Sequence, residues 1–230
     1  MKKALKPLIA EFIGVYMLVF AGCGAIVINA LTSGEVGHVA ISLTFGLVIM
    51  VMIYAVGHIS GAHFNPAVTI AFTATRHFSP SKCVLYIAAQ AAGAVFAAAT
   101  LRVMFGNVAN LGTTLPSGLG AFSPYATASL MEFILTFALM FVIMAVAKDT
   151  RAVGQMAGIA IGGTVALEAL FAGPVSGASM NPARSLGPAL ISGELEYLTI
   201  YLVFPIAGAL AGAFVYRAIC GCGEDGRPPC

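Results

Sequence analysis

Charged side chains are missing from residues 12–34 and again from 36–75, and further uncharged runs cover 83–101, 103–131, 133–147, 152–167 and 197–216. A helix rises about 1.5 Å per residue, so about 20 apolar residues cross the roughly 30 Å of bilayer hydrocarbon. Runs of this length and number need a bilayer as their solvent. Composition agrees, since 9% of the residues are charged and mean hydropathy is +0.97, whereas soluble domains carry roughly 25% charged residues. With 11 Lys and Arg against 9 Asp and Glu, the field is too weak for a nucleic-acid binder. Five scattered cysteines do not make the disulfide framework of a small secreted domain.

Breaks at Gly, Pro and charge predict six membrane-spanning helices, at about 8–31, 39–57, 83–105, 127–147, 154–172 and 198–220. Barrel strands would alternate in polarity, and these runs do not. The fold class is therefore an all-α integral membrane protein. The basic N-terminus MKKALK opens the first span rather than a cleaved signal, because the apolar run is long and holds Glu11. Nine of the 11 basic residues (Lys2, Lys3, Lys6, Arg76, Lys82, Lys148, Arg151, Arg217 and Arg227) fall on one side of these spans. The positive-inside rule makes that side cytoplasmic, with both termini there, in a multi-pass protein of the cell membrane.

Two apolar segments, 65–75 and 181–191, are left over and too short to cross. They are also alike. Residues 60–67 (SGAHFNPA) match 176–183 (SGASMNPA) at six of eight positions, Glu11-Phe12 matches Glu132-Phe133, and Ala92-Gly93-Ala94 matches Ala207-Gly208-Ala209. The chain reads as one domain over 1–220, a duplication of about 7–106 and about 127–220, with a cytoplasmic tail at 221–230. Three spans per half is an odd number, so the halves enter the membrane from opposite faces and place a site at their interface, near the midplane. Asn before Pro supplies an N-cap followed by Pro at the first helical position. Both short segments thus begin half-helices at Asn65-Pro66-Ala67 and Asn181-Pro182-Ala183, their N-termini meeting at the membrane centre.

The paired segments SGAHFNPAV and SGASMNPARSLGPA resemble the signature loops of the aquaporin (major intrinsic protein) family, over roughly residues 7–220. The resemblance implies six spans plus two re-entrant half-helices. It also implies a homotetramer in the lipid bilayer with a pore in each protomer, passing water and small neutral solutes without a cofactor. The positive ends of facing half-helices are a known barrier to cations and protons in aquaporin-type pores, and the same is implied here. Counting from the two motif asparagines by analogy gives a selectivity filter of Phe45, Ala169, Ala178 and Arg184. Water-specific members carry His where Ala169 stands, so this filter is expected to be wider and less polar. Glycerol facilitators follow the motif Arg with Asp and use Trp in span two; Ser185 and the absence of Trp depart from that branch. The run 171–177 and Tyr201-Leu202 resemble the nodulin-like intrinsic proteins of plants and their bacterial relatives, which pass water, glycerol and undissociated metalloid acids such as boric or arsenous acid.

Other polar residues carry two readings each. Glu11 and Glu132 are buried carboxylates that need donors, which the unwound backbone before each half-helix has to spare; the alternative is a proton relay. His58 and His63 brace the first loop or line the inner vestibule, and no third ligand stands near them for a metal. Glu168 adjoins Ala169 and reads as a packing site, a protomer interface, or a group tuning the filter. Gly158-x-x-x-Gly162 and Gly208-x-x-x-Gly212 offer faces for close helix crossings. Cys220, Cys222 and Cys230 read as a reduced tail, with a soft-metal or arsenic site as the sharper reading.

No nucleophile–base set or phosphate-binding glycine loop appears, so an enzyme is not expected. A passive channel for water and small uncharged solutes leads. The alternatives are a water-selective aquaporin, a proton-coupled transporter using Glu11, Glu132 or Glu168, and an adhesive membrane protein with a vestigial pore.

Overall fold

In a computed structural model, which describes residues 5–147 and 156–220, the uncharged runs become six helices long and apolar enough to cross a membrane. They are α1 (Leu5–Leu31), α2 (Gly37–Ser60), α4 (Pro80–Phe105), α5 (Pro124–Ala147), α6 (Ala157–Ser176) and α8 (Leu198–Cys220). Between them lie the short α3 (Pro66–Ala74) and α7 (Pro182–Ser192). The tail at 221–230, with Cys222 and Cys230, lies outside the described residues.

Local chemistry fixes where the short helices start. Asn65 is extended (φ −155°, ψ 121°) and its side chain accepts from the Ala67 amide at 2.9 Å; Pro66 then opens α3. Asn181 is nearly identical (φ −151°, ψ 109°) and accepts from Ala183 and Arg184 at 3.0 and 3.3 Å. An Asn cap satisfies backbone donors that a helix start leaves free. The long helices ahead of them stop at Gly61 and Gly177, with φ of 87° and 82°, in the left-handed conformation that glycine adopts without a Cβ clash.

Packing obeys an approximate two-fold relation between the halves. α1 lies along α4 as α5 lies along α8, and α2 crosses its counterpart α6. Each half-helix contacts the third long helix of the other half more than that of its own: α3 meets α8, and α7 meets α4. Small residues allow these approaches. A Cβ added to Gly93 would collide with the Phe12 carbonyl, and one added to Gly208 with the Phe133 carbonyl. At the α2–α6 crossing, Gly46 and Gly162 each face the other's carbonyl oxygen. The two predicted glycine pairs sit at such crossings, Gly158 beneath the Tyr54 ring and Gly212 against the Phe137 carbonyl. Lipid tails give helices no hydrophobic reason to associate, so backbone proximity and packing must do it. A methyl forced into such a contact costs about 1–3 kcal/mol.

Candidate functional site

Where α3 and α7 meet, each cap also reaches across to the other half. Asn65 donates from Nδ2 to the Met180 carbonyl at 2.7 Å, and Asn181 donates to the Phe64 carbonyl at 2.8 Å. One amide hydrogen of each Asn is thus fixed while Oδ1 holds the helix start. The second is free of protein partners among the described residues, and both side chains line a cavity of about 690 Å³. The cavity runs from His58 and Gly57, past the asparagines, to Arg184 and Phe45. Two helix N-termini and two amide donors therefore face its middle, a setting that favours acceptors and disfavours cations.

The loops leading into the half-helices are strained. Ala62, Phe64, Ala178 and Met180 have φ of 49°, 48°, 41° and 54°, a conformation costing about 1–2 kcal/mol per non-glycine residue. Two buried carboxylates hold it. Glu11 accepts from the His63 and Phe64 amides at 3.0 and 2.7 Å and from Gln90 Nε2 at 2.7 Å. Glu132 accepts from the Ser179 and Met180 amides at 2.9 and 2.8 Å and from Ser176 Oγ at 2.7 Å. Both are fully buried. Each side chain thereby satisfies two loop amides that would otherwise be buried without partners, which offsets the loop strain. Each loop is also tied by a tyrosine, Tyr86 donating to the Ser60 carbonyl at 2.9 Å and Tyr201 to that of Ser176 at 2.7 Å.

His63 and His58 part company. His63 packs among Phe72, Phe78 and Tyr86, its Nδ1 lying 3.1 Å from Thr69 Oγ1. His58 is exposed and lines the cavity mouth, without a hydrogen bond among the described residues.

Arg184 caps the far end of the cavity. Its guanidinium lies over the Phe45 ring, 4.9 Å from the centroid, and Nη1 donates to the Gly112 carbonyl at 2.8 Å. Nε has no protein partner. A ring face and a carbonyl hold the cation without neutralising it. Ala178 joins Phe45 and Arg184 on the wall. Ala169 is buried on α6 and is not among the residues that line the cavity.

The segment between α4 and α5 carries no motif that marks it as part of the site. It enters a 3-10 turn (Val108–Gly112) in which Ala109, Asn110 and Leu111 have φ of 48°, 47° and 55°. Leu111 is fully buried, Thr113 Oγ1 lies 3.1 Å from Ser192 Oγ, and Thr114 Oγ1 lies 2.7 Å from Ser185 Oγ. The turn thereby aims the Gly112 carbonyl at Arg184, with the Cys23 thiol donating to the same oxygen at 3.9 Å. Gln90, whose place in mid-span is itself a signal, donates to Glu11 and Thr69 at 2.7 and 3.0 Å. Glu168 is buried, and neither carboxylate oxygen has a partner among the described residues.

The family model described as Major intrinsic protein matches residues 1–216. Aquaporin NIP1-1 of Oryza sativa subsp. japonica is 52% identical over 216 residues, covering 94% of this chain and 74% of that protein. Nodulin-26 of Glycine max is 50% identical over the same length, covering 94% and 78%. Among solved structures, the aquaglyceroporin from Plasmodium falciparum superposes with a TM-score of 0.82 at 27% identity, covering 95% of this chain and 98% of that one. The chain is a multi-pass membrane channel for water and small solutes, not an enzyme, and it belongs to the major intrinsic protein (aquaporin) family.

Proposed function

We propose that the channel passes uncharged solutes larger than water, of the class of glycerol and undissociated boric or arsenous acid, as well as water itself, and excludes ions and protons. The observation that carries this reading is the end of the cavity at Arg184. There Arg184, with no ion-pair partner among the described residues, lies over the Phe45 ring, with Ala178 on the cavity wall and Ala169 buried on α6. Arg184 repels cations and offers donors to a solute oxygen, while the methyl groups suit a carbon edge. The names of the relatives, NIP aquaporins and an aquaglyceroporin, support the same class. Glu11 and Glu132 act as scaffold, since all three donors to each come from the loop or its supports. The protein works as a homotetramer in the cell membrane with both termini cytoplasmic, as the basic residues in its loops favour.

The test is Ala169→His. An imidazole there extends to the wall, narrows the path and adds a donor that water can use in almost any orientation. Glycerol and metalloid-acid flux into proteoliposomes should fall about tenfold relative to water flux, a change of about 1.4 kcal/mol in relative barrier. Equal falls for all solutes, or none, count against the filter assignment.

A further inference from the structure

Four positions around Arg184 have counterparts at the other end of the cavity. An offset of 116 residues carries Ser60-Gly61-Ala62 onto Ser176-Gly177-Ala178 and Asn65 onto Asn181. The backbone follows the same offset: Ala62 and Ala178 have φ of 49° and 41°, Phe64 and Met180 of 48° and 54°. The same step carries Val68 to Arg184, Ala62 to Ala178 and Ile53 to Ala169, and it carries Phe45 to Ile161. Val68, Ala62, Ile53 and Ile161 all line the cavity, on the His58 side of the asparagines. The pore therefore carries a second ring in the geometry of the filter, with no donor or acceptor among its side chains.

From this we infer that the ring of Ile53, Ala62, Val68 and Ile161 is a second selective station, which sorts solutes by their apolar edge. The inference rests on the solute-channel reading above. A solute crossing this ring gives up hydrogen bonds on the side it presents, and nothing on the wall's side chains replaces them. Urea is polar around its whole perimeter and loses most. Glycerol can turn its carbon edge to the branched side chains and keep its hydroxyls toward the pore axis. The Arg184 station selects by charge and donors, the Val68 station by what a solute can leave unbonded. In series, the two favour a molecule with one polar and one apolar side, which neither requires alone.

Val68→Thr tests this, because the two side chains have nearly the same shape and only the hydroxyl is new. Ile53→Thr and Ile161→Thr repeat the test from other positions on the ring. Each full-length variant is reconstituted into liposomes and challenged with glycerol, urea and impermeant-osmolyte gradients by stopped-flow light scattering. The urea-to-glycerol flux ratio should rise about threefold in Val68→Thr, the effect of roughly one net hydrogen bond at the barrier, and in the same direction in the other two. An unchanged ratio in variants that insert normally overturns the station. Loss of folded protein in all three assigns these residues to packing and overturns it too. If the wild type passes neither urea nor glycerol, the solute-channel reading is what fails. The ring is then judged on water alone, which Val68→Thr should speed about twofold and which an unaltered rate would contradict.

Discussion

The two halves of this channel share a backbone and differ in what they ask of it. In the first half the loop is braced from within: His63 sits by Thr69 Oγ1 among three aromatic rings, and Gln90 bonds both Thr69 and Glu11. In the second, Ser179 and Ser185 take the places of His63 and Thr69, and the outside support is Thr114, from the connector that belongs to neither half. The same connector supplies the Gly112 carbonyl that holds Arg184. Val68, at the corresponding position, needs no such partner. Duplication thus provides two matched helix N-termini, and the second half sets a cation, positioned by a borrowed carbonyl, where the first has an aliphatic side chain.

The comparison breaks most visibly if Arg184 is made like its counterpart. Arg184→Val should admit cations, because one unit charge at about 5 Å and an effective dielectric near 20 contributes about 3 kcal/mol, roughly a hundredfold in entry rate. Planar-bilayer current under a salt gradient checks it, and a variant that stays ion-tight removes Arg184 from the barrier. The scaffold carboxylates test the matched part instead. Glu11→Ala and Glu132→Ala each strand three buried donors, so each should lower unfolding stability in detergent by about 2–4 kcal/mol. Similar losses support equal roles; a silent Glu11→Ala would mean that the Gln90 network holds its loop alone.

Asn65→Asp and Asn181→Asp probe the centre, where the halves should be interchangeable. A carboxylate there offsets the helix ends and should raise cation or proton leak by about tenfold, corresponding to about 1.4 kcal/mol. Leak from Asn65→Asp alone would show that Arg184 still guards the second site. The smallest effect concerns Glu168, which stands where the first half has Met52 by the 116-residue offset. Glu168→Met removes a buried carboxylate that has no partner among the described residues and should raise stability by about 1 kcal/mol, read as a shift in thermal midpoint. A loss of stability or of solute flux would assign Glu168 a working role.

Much of this was legible in the chain. Uncharged runs located the spans because a bilayer tolerates no alternative, and two Asn-Pro-Ala segments located the half-helices because cap and proline chemistry is local. Glu11 and Glu132 were legible as a pair by their equivalence, and each accepts from two amides of its loop. What stayed hidden depends on backbone atoms or on contacts between distant segments. Nothing in Val108 to Gly112 announces that three non-glycine residues adopt positive φ, or that the Gly112 carbonyl reaches Arg184 across 72 positions in the chain. That Ala169 is not among the residues lining the cavity was hidden likewise, since counting residues gives a position on a helix and not the reach of its side chain.

We propose that solutes cross passively through one pore whose charge barrier keeps ions out. Stopped-flow light scattering on proteoliposomes, with glycerol, urea, boric acid and arsenous acid gradients run beside an impermeant osmolyte, tests it most directly. Water and solute flux should grow linearly with the gradient, ignore a protonophore, and come with no ionic current. Saturable uptake abolished by the protonophore would contradict it and point to a carrier built on the buried carboxylates.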